Sequence, residues 1–227
     1  MAPASEIVAR ESEPGRLVTW LDRVLYRHPF EGASARRYAA AERPAFGDLD
    51  DRVLDALAPR LAAARALLDV GAGPAIFSAR AAARFAQLRV IAVDPSRDFA
   101  RPRAGLEVVR ARAEALPLAA GAIDVAVCLS SIRHVRDRPA ALRELRRVVT
   151  SGGSLVIVEL DPAASARRIA AHADRLGSRV LQKIFGPLVV RTAPSRGAIE
   201  RLARAAGWRV ERARDDEVQP VYILELA

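Results

Sequence analysis

Cysteine is almost absent from this chain of 227 residues, because Cys128 is the only one. An internal disulfide and a cysteine cluster for a metal are therefore excluded, and this scarcity is typical of a reducing compartment. Charged residues interrupt every apolar run before it reaches the roughly 18 residues of a membrane span. Glu6, Arg10 and Glu11 likewise interrupt any signal-peptide core. The sequence predicts a cytoplasmic protein with no targeting segment and no metal site.

Lysine is equally scarce, although the chain is strongly basic. The formal net charge is +9, yet Lys183 is the only lysine among 36 basic residues, and no block of five like charges occurs. A net positive charge of this size could neutralise the phosphates of a nucleic acid. The even scatter of arginines instead favours solvated helix faces and argues against a nucleic-acid partner. With 51% hydrophobic and 28% charged residues, the composition is typical of a globular protein with a substantial core.

Short apolar runs alternate with helical patterns, which predicts an α/β fold: a doubly wound, mostly parallel seven-stranded sheet with helices on both faces. The predicted strands are residues 66–70, 88–93, 106–110, 123–129, 154–160, 208–212 and 221–226, and the main helices between them are 75–85, 139–149 and 195–206. The last two strands are separated by residues 213–220, too few for a crossover helix. The last strand should therefore be antiparallel.

Two segments lie outside this alternation. Residues 1–65 lack strand signals and are predicted to form two or three helices, a helical cap that precedes the domain of residues 66–227. The clearest is 48–64, where Leu49, Val53, Leu57 and Leu61 recur at helical spacing. Residues 163–190 are predicted to be a helical insertion in that domain, closed by the turn signal at 186–187.

A glycine turn follows the first predicted strand. Residues 67–75 read as a buried strand, a turn at Gly71 and Gly73, and the start of a helix. Glycines permit a tight turn and let a ligand approach the backbone, while the helix offers free N–H groups. Nucleotide, nicotinamide and S-adenosylmethionine sites all use such a turn, and a purely structural turn has the same pattern.

An acidic residue ends the second predicted strand. Asp94 follows the apolar run 90–93, about twenty residues beyond the glycines. A carboxylate at this place accepts hydrogen bonds from two ribose hydroxyls and so recognises an adenosine with an unphosphorylated ribose. The alternative is that Asp94 only caps the turn near Ser96, and the two roles are compatible.

These motifs continue in an order that resembles the class I S-adenosylmethionine-dependent methyltransferases, and most closely the small-molecule branch that includes the ubiquinone and menaquinone biosynthesis methyltransferases. The resemblance extends from about residue 67 to 160. It is carried by Asp69-Val70-Gly71-Ala72-Gly73, Val93-Asp94, Ala113-Glu114-Ala115-Leu116-Pro117, Ile123-Asp124-Val125-Ala126-Val127, His134-Val135, Leu142-Arg143-Glu144-Leu145-Arg146-Arg147-Val148 and Gly152-Gly153.

The resemblance implies S-adenosylmethionine as the cofactor and a role for each motif. The methionine end would be held by Asp69, Gly71 and Gly73, the ribose by Asp94, the adenine by Ala113 and Glu114, and the ammonium by the backbone carbonyls of Cys128 and Leu129. For Cys128 and Leu129 an ordinary core position is the alternative.

Two residues depart from the family pattern. Arg112 stands where many relatives have an aspartate that accepts a hydrogen bond from the adenine amino group, and arginine has no acceptor. Ala75 replaces the usual third glycine of the turn. Neither change affects the expected ribose or methionine contacts, so cofactor binding should survive.

Methyl transfer from a sulfonium is an in-line displacement that mainly requires proximity and orientation. If a base assists, the candidates are His134, Glu159 and Asp161, near the carboxyl ends of the fourth and fifth strands. Ordinary packing is the alternative for His134, and a solvated loop edge for the two acids, which should point the same way. His28 and His172 could line an acceptor pocket or be isolated surface residues.

The N-terminal cap contributes one further candidate. Tyr38 could cover the sulfonium, and so lie beside the substrate, through a cation–π contact, or it could simply pack within the cap.

The sequence therefore predicts an enzyme of small-molecule metabolism, with a small organic acceptor whose oxygen, carbon or nitrogen atom stays open. An RNA-directed methyltransferase and a non-catalytic S-adenosylmethionine-binding protein are the alternatives. A nicotinamide oxidoreductase is disfavoured, because Ile76 occupies the position of the third dinucleotide glycine and no Tyr-x-x-x-Lys pair exists.

Overall fold

The computed structural model describes Trp20, residues 31–40 and residues 46–227. The strands are β1 (Ala66–Val70), β2 (Arg89–Asp94), β3 (Glu107–Arg110), β4 (Ile123–Leu129), β5 (Val149–Leu160), β6 (Val210–Asp215) and β7 (Val221–Leu226). The helices used below are α1 (Gly32–Ala40), α2 (Leu49–Ala63), α3 (Ile76–Arg84), α4 (Arg138–Val148), α5 (Ala166–Ala173), α6 (Arg179–Ile184) and α7 (Arg196–Ala205), with a 3₁₀ turn at Ile132–His134 and a π-helical turn at Phe185–Val190.

All seven strands form one sheet in the order β3-β2-β1-β4-β5-β7-β6. Strands β1 to β5 pair in parallel, whereas β7 is antiparallel to both β5 and β6. The predicted α/β class and the antiparallel last strand are therefore confirmed. The carboxyl ends of β1, β2 and β4 meet at one edge, where ligands bind in open α/β sheets.

Apolar side chains form a separate cluster on each face of the sheet. Alternate residues of β1 point to opposite faces, so that Leu67 joins one cluster and Leu68 the other. The first cluster contains buried residues of α2, α3 and α5, and the second contains those of α4 and α7. Helix α2 thus packs on the same face of the sheet as α3 and α5.

Strands β2 and β3 differ from their predicted bounds by one residue, and β5 and β6 differ by more. Strand β6 begins at Val210 rather than at residue 208, because Trp208 is buried and donates its indole N–H to the Leu142 carbonyl at 3.0 Å. Strand β5 begins at Val149 rather than at residue 154. A Cβ atom at Gly153 would lie 2.6 Å from the Asp124 carbonyl oxygen, so this strand needs glycine there to approach β4.

The insertion, residues 163–190, is helical as expected but does not close at residues 186–187. The chain continues to Val190 as a π-helical turn in which the Arg191 N–H donates to the Gly186 carbonyl at 3.0 Å. At the N-terminus, α1 and α2 occupy described parts of the predicted cap, while the expectation for His28 lies outside the described residues. Within the described ranges, no helix is long and apolar enough to span a membrane, and no metal-ligand cluster is found.

Candidate functional site

The glycine turn after β1 is tied to the end of β2. The N–H groups of Gly71 and Ala72 both donate to the Val93 carbonyl, at 2.8 and 3.0 Å. Gly71 has φ +70° and Gly73 has φ +54°, conformations that favour glycine. A Cβ atom at Gly71 would lie only 2.5 Å from the Cβ of Ser131. The turn therefore requires glycine at position 71 for both its conformation and its packing.

Asp69 lies at the carboxyl end of β1 and is 2% exposed. Its carboxylate accepts a hydrogen bond from the Ser78 hydroxyl of α3 at 2.6 Å. On the other side of the turn, the Ser131 hydroxyl donates to the Val70 carbonyl at 2.6 Å. These two bonds hold the turn between α3 and the chain that follows β4.

Asp94 joins the glycine turn to the segment after β2. One carboxylate oxygen accepts from the Gly73 N–H and the other from the Ser96 N–H, both at 2.8 Å. Burial raises the pKa of Asp94 although both backbone donors oppose the shift. Because each oxygen keeps a second lone pair and the residue borders the cavity described below, capping of the Ser96 turn leaves room for a ligand hydroxyl.

Ala75, the replacement for the third glycine, adopts φ +54° and ψ +36° immediately before α3. This left-handed conformation costs an alanine about 1–2 kcal/mol relative to a right-handed one. The sequence predicted helix from residue 75, but the helix begins at Ile76 and Pro74 lies outside it. The departure from the family pattern is therefore accommodated by local strain rather than by a different turn.

Helix α1 is held over the glycine turn by Asp98. The Asp98 carboxylate accepts from the Gly32 N–H at 2.6 Å and from the Arg101 guanidinium at 3.1 Å. The Tyr38 ring of α1 lies 6.2 Å from the Phe99 ring, centroid to centroid. A Cβ atom at Gly73 would be 3.9 Å from the Tyr38 ring. Tyr38 thus lies against the turn with 37% of its surface exposed, and its contact with the sulfonium stays a prediction.

The segment after β3 carries the candidate adenine residues. Ala113 and Glu114 border the cavity, but the Glu114 carboxylate accepts from the Asp137 N–H at 2.9 Å. Arg112 also borders the cavity, where its side chain is exposed. The Glu114 carboxylate therefore connects this segment to the loop before α4, which leaves the backbone of residues 112–114 to face a ligand.

Cys128 and Leu129 at the end of β4 differ in their surroundings. Leu129 borders the cavity, whereas Cys128 is not among its lining residues and is 1% exposed within the second apolar cluster. Burial, with the negative charge of Asp69 as the second cause, raises the pKa of the Cys128 thiol to about 12. The Cys128 side chain is therefore an inert core group, and any ligand contact there belongs to the backbone.

A single cavity of about 750 Å³ connects the glycine turn with the insertion. We call the part bordered by residues 69–74, 93–95, 99 and 111–114 the turn half. The insertion half is bordered by Phe46, Arg133, Glu159, His172, Arg175 and Phe185 together with nearby aliphatic side chains. The volume lies within the range of about 300–1,000 Å³ typical of small-molecule sites.

Glu159 and Arg133 lie together in the wall of the insertion half. Glu159 is fully buried, and its two carboxylate oxygens accept from the Leu160 N–H at 2.8 Å and the Arg133 N–H at 3.2 Å. Burial raises the pKa of Glu159, while the Arg133 charge and these backbone donors counteract part of the shift. The Arg133 guanidinium donates to the Val189 carbonyl at 2.8 Å and to the Thr192 hydroxyl at 3.2 Å.

The other two base candidates, His134 and Asp161, differ in whether they border the cavity. His134 is half-buried and borders the cavity. Asp161 does not border it, because β5 ends at Leu160 and the Asp161 carboxylate accepts from the Ala163 N–H at 2.8 Å. Asp161 therefore lies outside the lining of the cavity, where its carboxylate holds the turn into the insertion. That Glu159 and Asp161 point the same way stays a prediction.

His172, for which a place in an acceptor pocket and an isolated surface position were both open, lies in the insertion half of the cavity. It is 2% exposed, stacks on Phe185 with ring centroids 4.5 Å apart and meets Phe46 edge-on at 4.9 Å. Its Nδ1 lies 2.7 Å from the Gln219 amide oxygen, and the Gln219 amide nitrogen donates to the Phe46 carbonyl at 3.0 Å. Because these partners are far apart in the chain, no local motif could have indicated the arrangement.

Ser130 is a further residue that the sequence did not single out. It follows β4, borders the cavity and adopts φ +53°, which is uncommon for a residue other than glycine. Its hydroxyl oxygen is buried and has no hydrogen-bond partner among the described residues. Strain and an unsatisfied hydroxyl thus coincide at the point where the two halves of the cavity meet.

Comparison with known proteins identifies the family of this chain. A family model described as a methyltransferase domain matches residues 68–157. The ubiquinone/menaquinone biosynthesis C-methyltransferase UbiE of Syntrophotalea carbinolica is 31% identical over 175 residues, 68% of this chain and 73% of that protein. The chain belongs to the class I S-adenosylmethionine-dependent methyltransferases. S-adenosylmethionine is accordingly the cofactor of this methyltransferase.

Two further similarities agree with this assignment. The demethylmenaquinone methyltransferase of Deinococcus radiodurans is 32% identical to this methyltransferase over 164 residues, which is 64% of this chain and 68% of that one. The crystal structure of an S-adenosylmethionine-dependent methyltransferase from Aquifex aeolicus superposes with a TM-score of 0.67 at 16% identity, covering 87% of this chain and 98% of that chain. At that identity the structural likeness establishes the fold.

Proposed function

We propose that this methyltransferase transfers a methyl group to a small organic acceptor that binds in the insertion half of the cavity. The observation that carries this proposal is the continuity of the cavity, which puts an apolar chamber beside the turn half. Helix α1 and the insertion border the cavity, as expected for a small ligand rather than for a polymer. The relatives named for ubiquinone and menaquinone biosynthesis also support a small-molecule acceptor.

The turn half fits the cofactor. Asp94 is a buried carboxylate with accepting capacity left, which suits the two ribose hydroxyls. Gly71 and Gly73 leave room for the methionine end, and the Asp69 carboxylate would orient its ammonium. Ala113, Leu129 and the backbone at Glu114 and Cys128 would complete the adenine and ammonium contacts, with Tyr38 covering the sulfonium.

The cofactor supplies an electrophilic methyl group, so the protein's main contribution is to position the acceptor. His134 is our candidate base for an acceptor that must lose a proton, because it borders the cavity and is half-buried. Glu159 is the second candidate, with its raised pKa, although two backbone N–H groups already hold its carboxylate. An acceptor that binds as an anion needs neither.

Cys128 is buried and is the single cysteine, and the sequence has no block of like charges. On these grounds we also propose that the enzyme acts in small-molecule metabolism in the cytoplasm. The test begins with thermal shift and calorimetry using S-adenosylhomocysteine and NAD. We expect stabilisation by S-adenosylhomocysteine and none by NAD. Release of S-adenosylhomocysteine from S-adenosylmethionine is then measured across a panel of phenols, carboxylic acids, amines and a transfer RNA. Turnover of the RNA alone, or binding with no turnover of any acceptor, would contradict a small-molecule methyltransferase.

A further inference from the structure

One cation at the rim of the insertion half has no partner among the residues that the structure describes. Arg175 follows α5, borders the cavity and is exposed. Its guanidinium makes no hydrogen bond or ion pair with any residue in the described ranges. Most other arginines that approach α2 or the loop between β6 and β7 have carboxylate partners, such as Arg52 with Asp216 and Arg60 with Glu225. The cavity-facing cation is therefore available to a ligand.

The Arg175 side chain lies against Gly47, in the segment before α2. Its backbone N–H donates to the His172 carbonyl at 3.1 Å, which closes the end of α5. A Cβ atom at Gly47 would lie 3.3 Å from a guanidinium nitrogen of Arg175. Since Gly47 has φ +56° and no side chain, the guanidinium rests against the segment that also carries Phe46. Arg175 thus borders the cavity beside the segment that carries Phe46.

Below this rim the chamber is flat-walled and largely apolar. The stacked rings of His172 and Phe185 form one wall, and Phe46 meets His172 edge-on. A slot lined by rings favours a flat apolar ligand, because ring faces and edges pack in preferred offset or edge-on arrangements.

The charges differ between the two halves of the cavity. Asp69, Asp94 and Glu114 border the turn half, which suits a cofactor that carries a sulfonium and an ammonium. Among the described residues that border the insertion half, Glu159 is the only carboxylate, and it lies beside Arg133. Arg175 is thus not neutralised within its half of the cavity.

We propose that the acceptor is a flat apolar molecule with a carboxylate, which Arg175 binds at the rim while the ring packs against the aromatic side chains that line the insertion half. This inference rests on the proposed function, because it concerns the acceptor of that reaction. Arginine presents two parallel N–H groups that match a carboxylate, and the contact strengthens as the ligand displaces water from the rim. An acceptor with an ammonium in the same place would be repelled.

The test measures binding rather than turnover, using the full chain saturated with S-adenosylhomocysteine. The probes are 4-hydroxycinnamate, its methyl ester and tyramine, which share a phenol ring and differ in charge. Arg175→Gln removes the proposed contact. Arg179→Gln, an exposed arginine of the same insertion that does not border the cavity, is the control with the same net charge.

By calorimetry we expect the parent to bind the acid about three- to tenfold more tightly than the ester and to bind tyramine most weakly. A preference of this size is what a charge-assisted hydrogen bond contributes at a partly exposed site. This preference should shrink with added salt, disappear in Arg175→Gln and persist in Arg179→Gln. Equal binding of acid and ester, a preference that survives in Arg175→Gln, or no binding of any probe would overturn the inference. Failure to bind S-adenosylhomocysteine would instead refute the proposed function.

Discussion

The two halves of the cavity are built from different kinds of contact. The turn half uses short segments that follow β1, β2 and β3, and its contacts are mostly hydrogen bonds to backbone groups, such as those of Asp94 to Gly73 and Ser96. The insertion half uses side-chain contacts between distant segments, and Gln219 binds the Phe46 carbonyl across 173 positions of sequence. Local backbone geometry therefore shapes the expected cofactor site, and long-range packing shapes the expected acceptor site.

This difference separates the consequences of substitution. A change in the turn half should affect cofactor affinity directly, because backbone groups in contact with the ligand must move. A change in the insertion half should affect acceptor binding and stability while cofactor affinity stays nearly constant, since sites without shared partners behave additively.

The largest effect is expected for Gly71→Ala. The new Cβ would lie 2.5 Å from the Ser131 Cβ in a backbone of φ +70°, and we expect a loss of about 2–4 kcal/mol in the free energy of unfolding and at least a hundredfold in S-adenosylhomocysteine affinity. Urea unfolding and calorimetry measure the two losses.

Gly105→Ala is the matched control for Gly71→Ala. Gly105 has φ +74° but nothing within 4 Å of its Cβ position. Backbone strain alone should then cost about 1 kcal/mol and leave cofactor affinity unchanged. If the two variants are equally stable, the close approach of Ser131 is not what makes glycine necessary.

Asp94→Ala should weaken S-adenosylhomocysteine binding by about ten- to a hundredfold, because hydrogen bonds to a charged group contribute roughly 1.5–3 kcal/mol each. Affinity in the parent should also fall on acidification. Burial raises the pKa of Asp94, so protonation begins above the ordinary aspartate range, and the protonated carboxyl accepts fewer hydrogen bonds. Calorimetry as a function of pH tests both expectations.

Asp124→Ala is a fitting control for Asp94→Ala. Its carboxylate also accepts two backbone N–H groups, from Arg65 at 2.8 Å and Ala66 at 3.0 Å, but at the amino end of β1 and away from the cavity. It should destabilise the fold and leave cofactor affinity unchanged. An affinity of Asp94→Ala within about twofold of the parent would refute the ribose assignment.

In the long-range packing around the insertion half, Asp216→Asn should reduce the free energy of unfolding by about 1–2 kcal/mol at neutral pH. Cofactor affinity should be unchanged. Burial raises the pKa of Asp216, but the Arg52 guanidinium and the backbone N–H groups of Gln219 and Val218 outweigh burial and hold it below its ordinary value. The stabilisation is therefore complete above about pH 4 and is lost as the pH falls through the lowered pKa.

Unfolding of the parent and Asp216→Asn between neutral and acidic pH measures this difference. Asp55→Asn is the control, because Asp55 pairs with Arg84 at the exposed surface and such pairs contribute about 0–1 kcal/mol. A stability difference between parent and Asp216→Asn that does not narrow on acidification would contradict the account.

The smallest effect is expected for Ser130→Gly, where the two halves meet. Glycine relieves the φ of +53° and removes a buried hydroxyl that has no described partner, which should raise stability by up to about 1 kcal/mol. Ser131→Ala should have the opposite sign, since it loses the hydrogen bond to the Val70 carbonyl. Urea unfolding of both variants measures the two changes in stability. Destabilisation by Ser130→Gly would show that the Ser130 hydroxyl has a hydrogen-bond partner.

Much of the turn half was predictable because its pattern is local. Asp69, Gly71, Gly73 and Asp94 lie at the ends of two adjacent apolar runs, and parallel pairing of those runs brings their ends together. The antiparallel last strand followed from the length of one loop. The sequence did not indicate that Asp161 lies away from the cavity, because the end of β5 depends on a distant partner, the Pro220 carbonyl, which accepts from the Asp161 N–H at 2.8 Å.

Alternation of apolar runs, a glycine turn and one short loop were enough to specify the sheet, its antiparallel last strand and the expected cofactor edge, since each is encoded by residues close together in the chain. Only folding in three dimensions decided that His172, Phe46, Phe185 and Gln219 share one chamber, and that Cys128 is buried away from it. These neighbours come from different elements, and which of them meet depends on how the insertion packs on the sheet. No spacing along the chain carries that information.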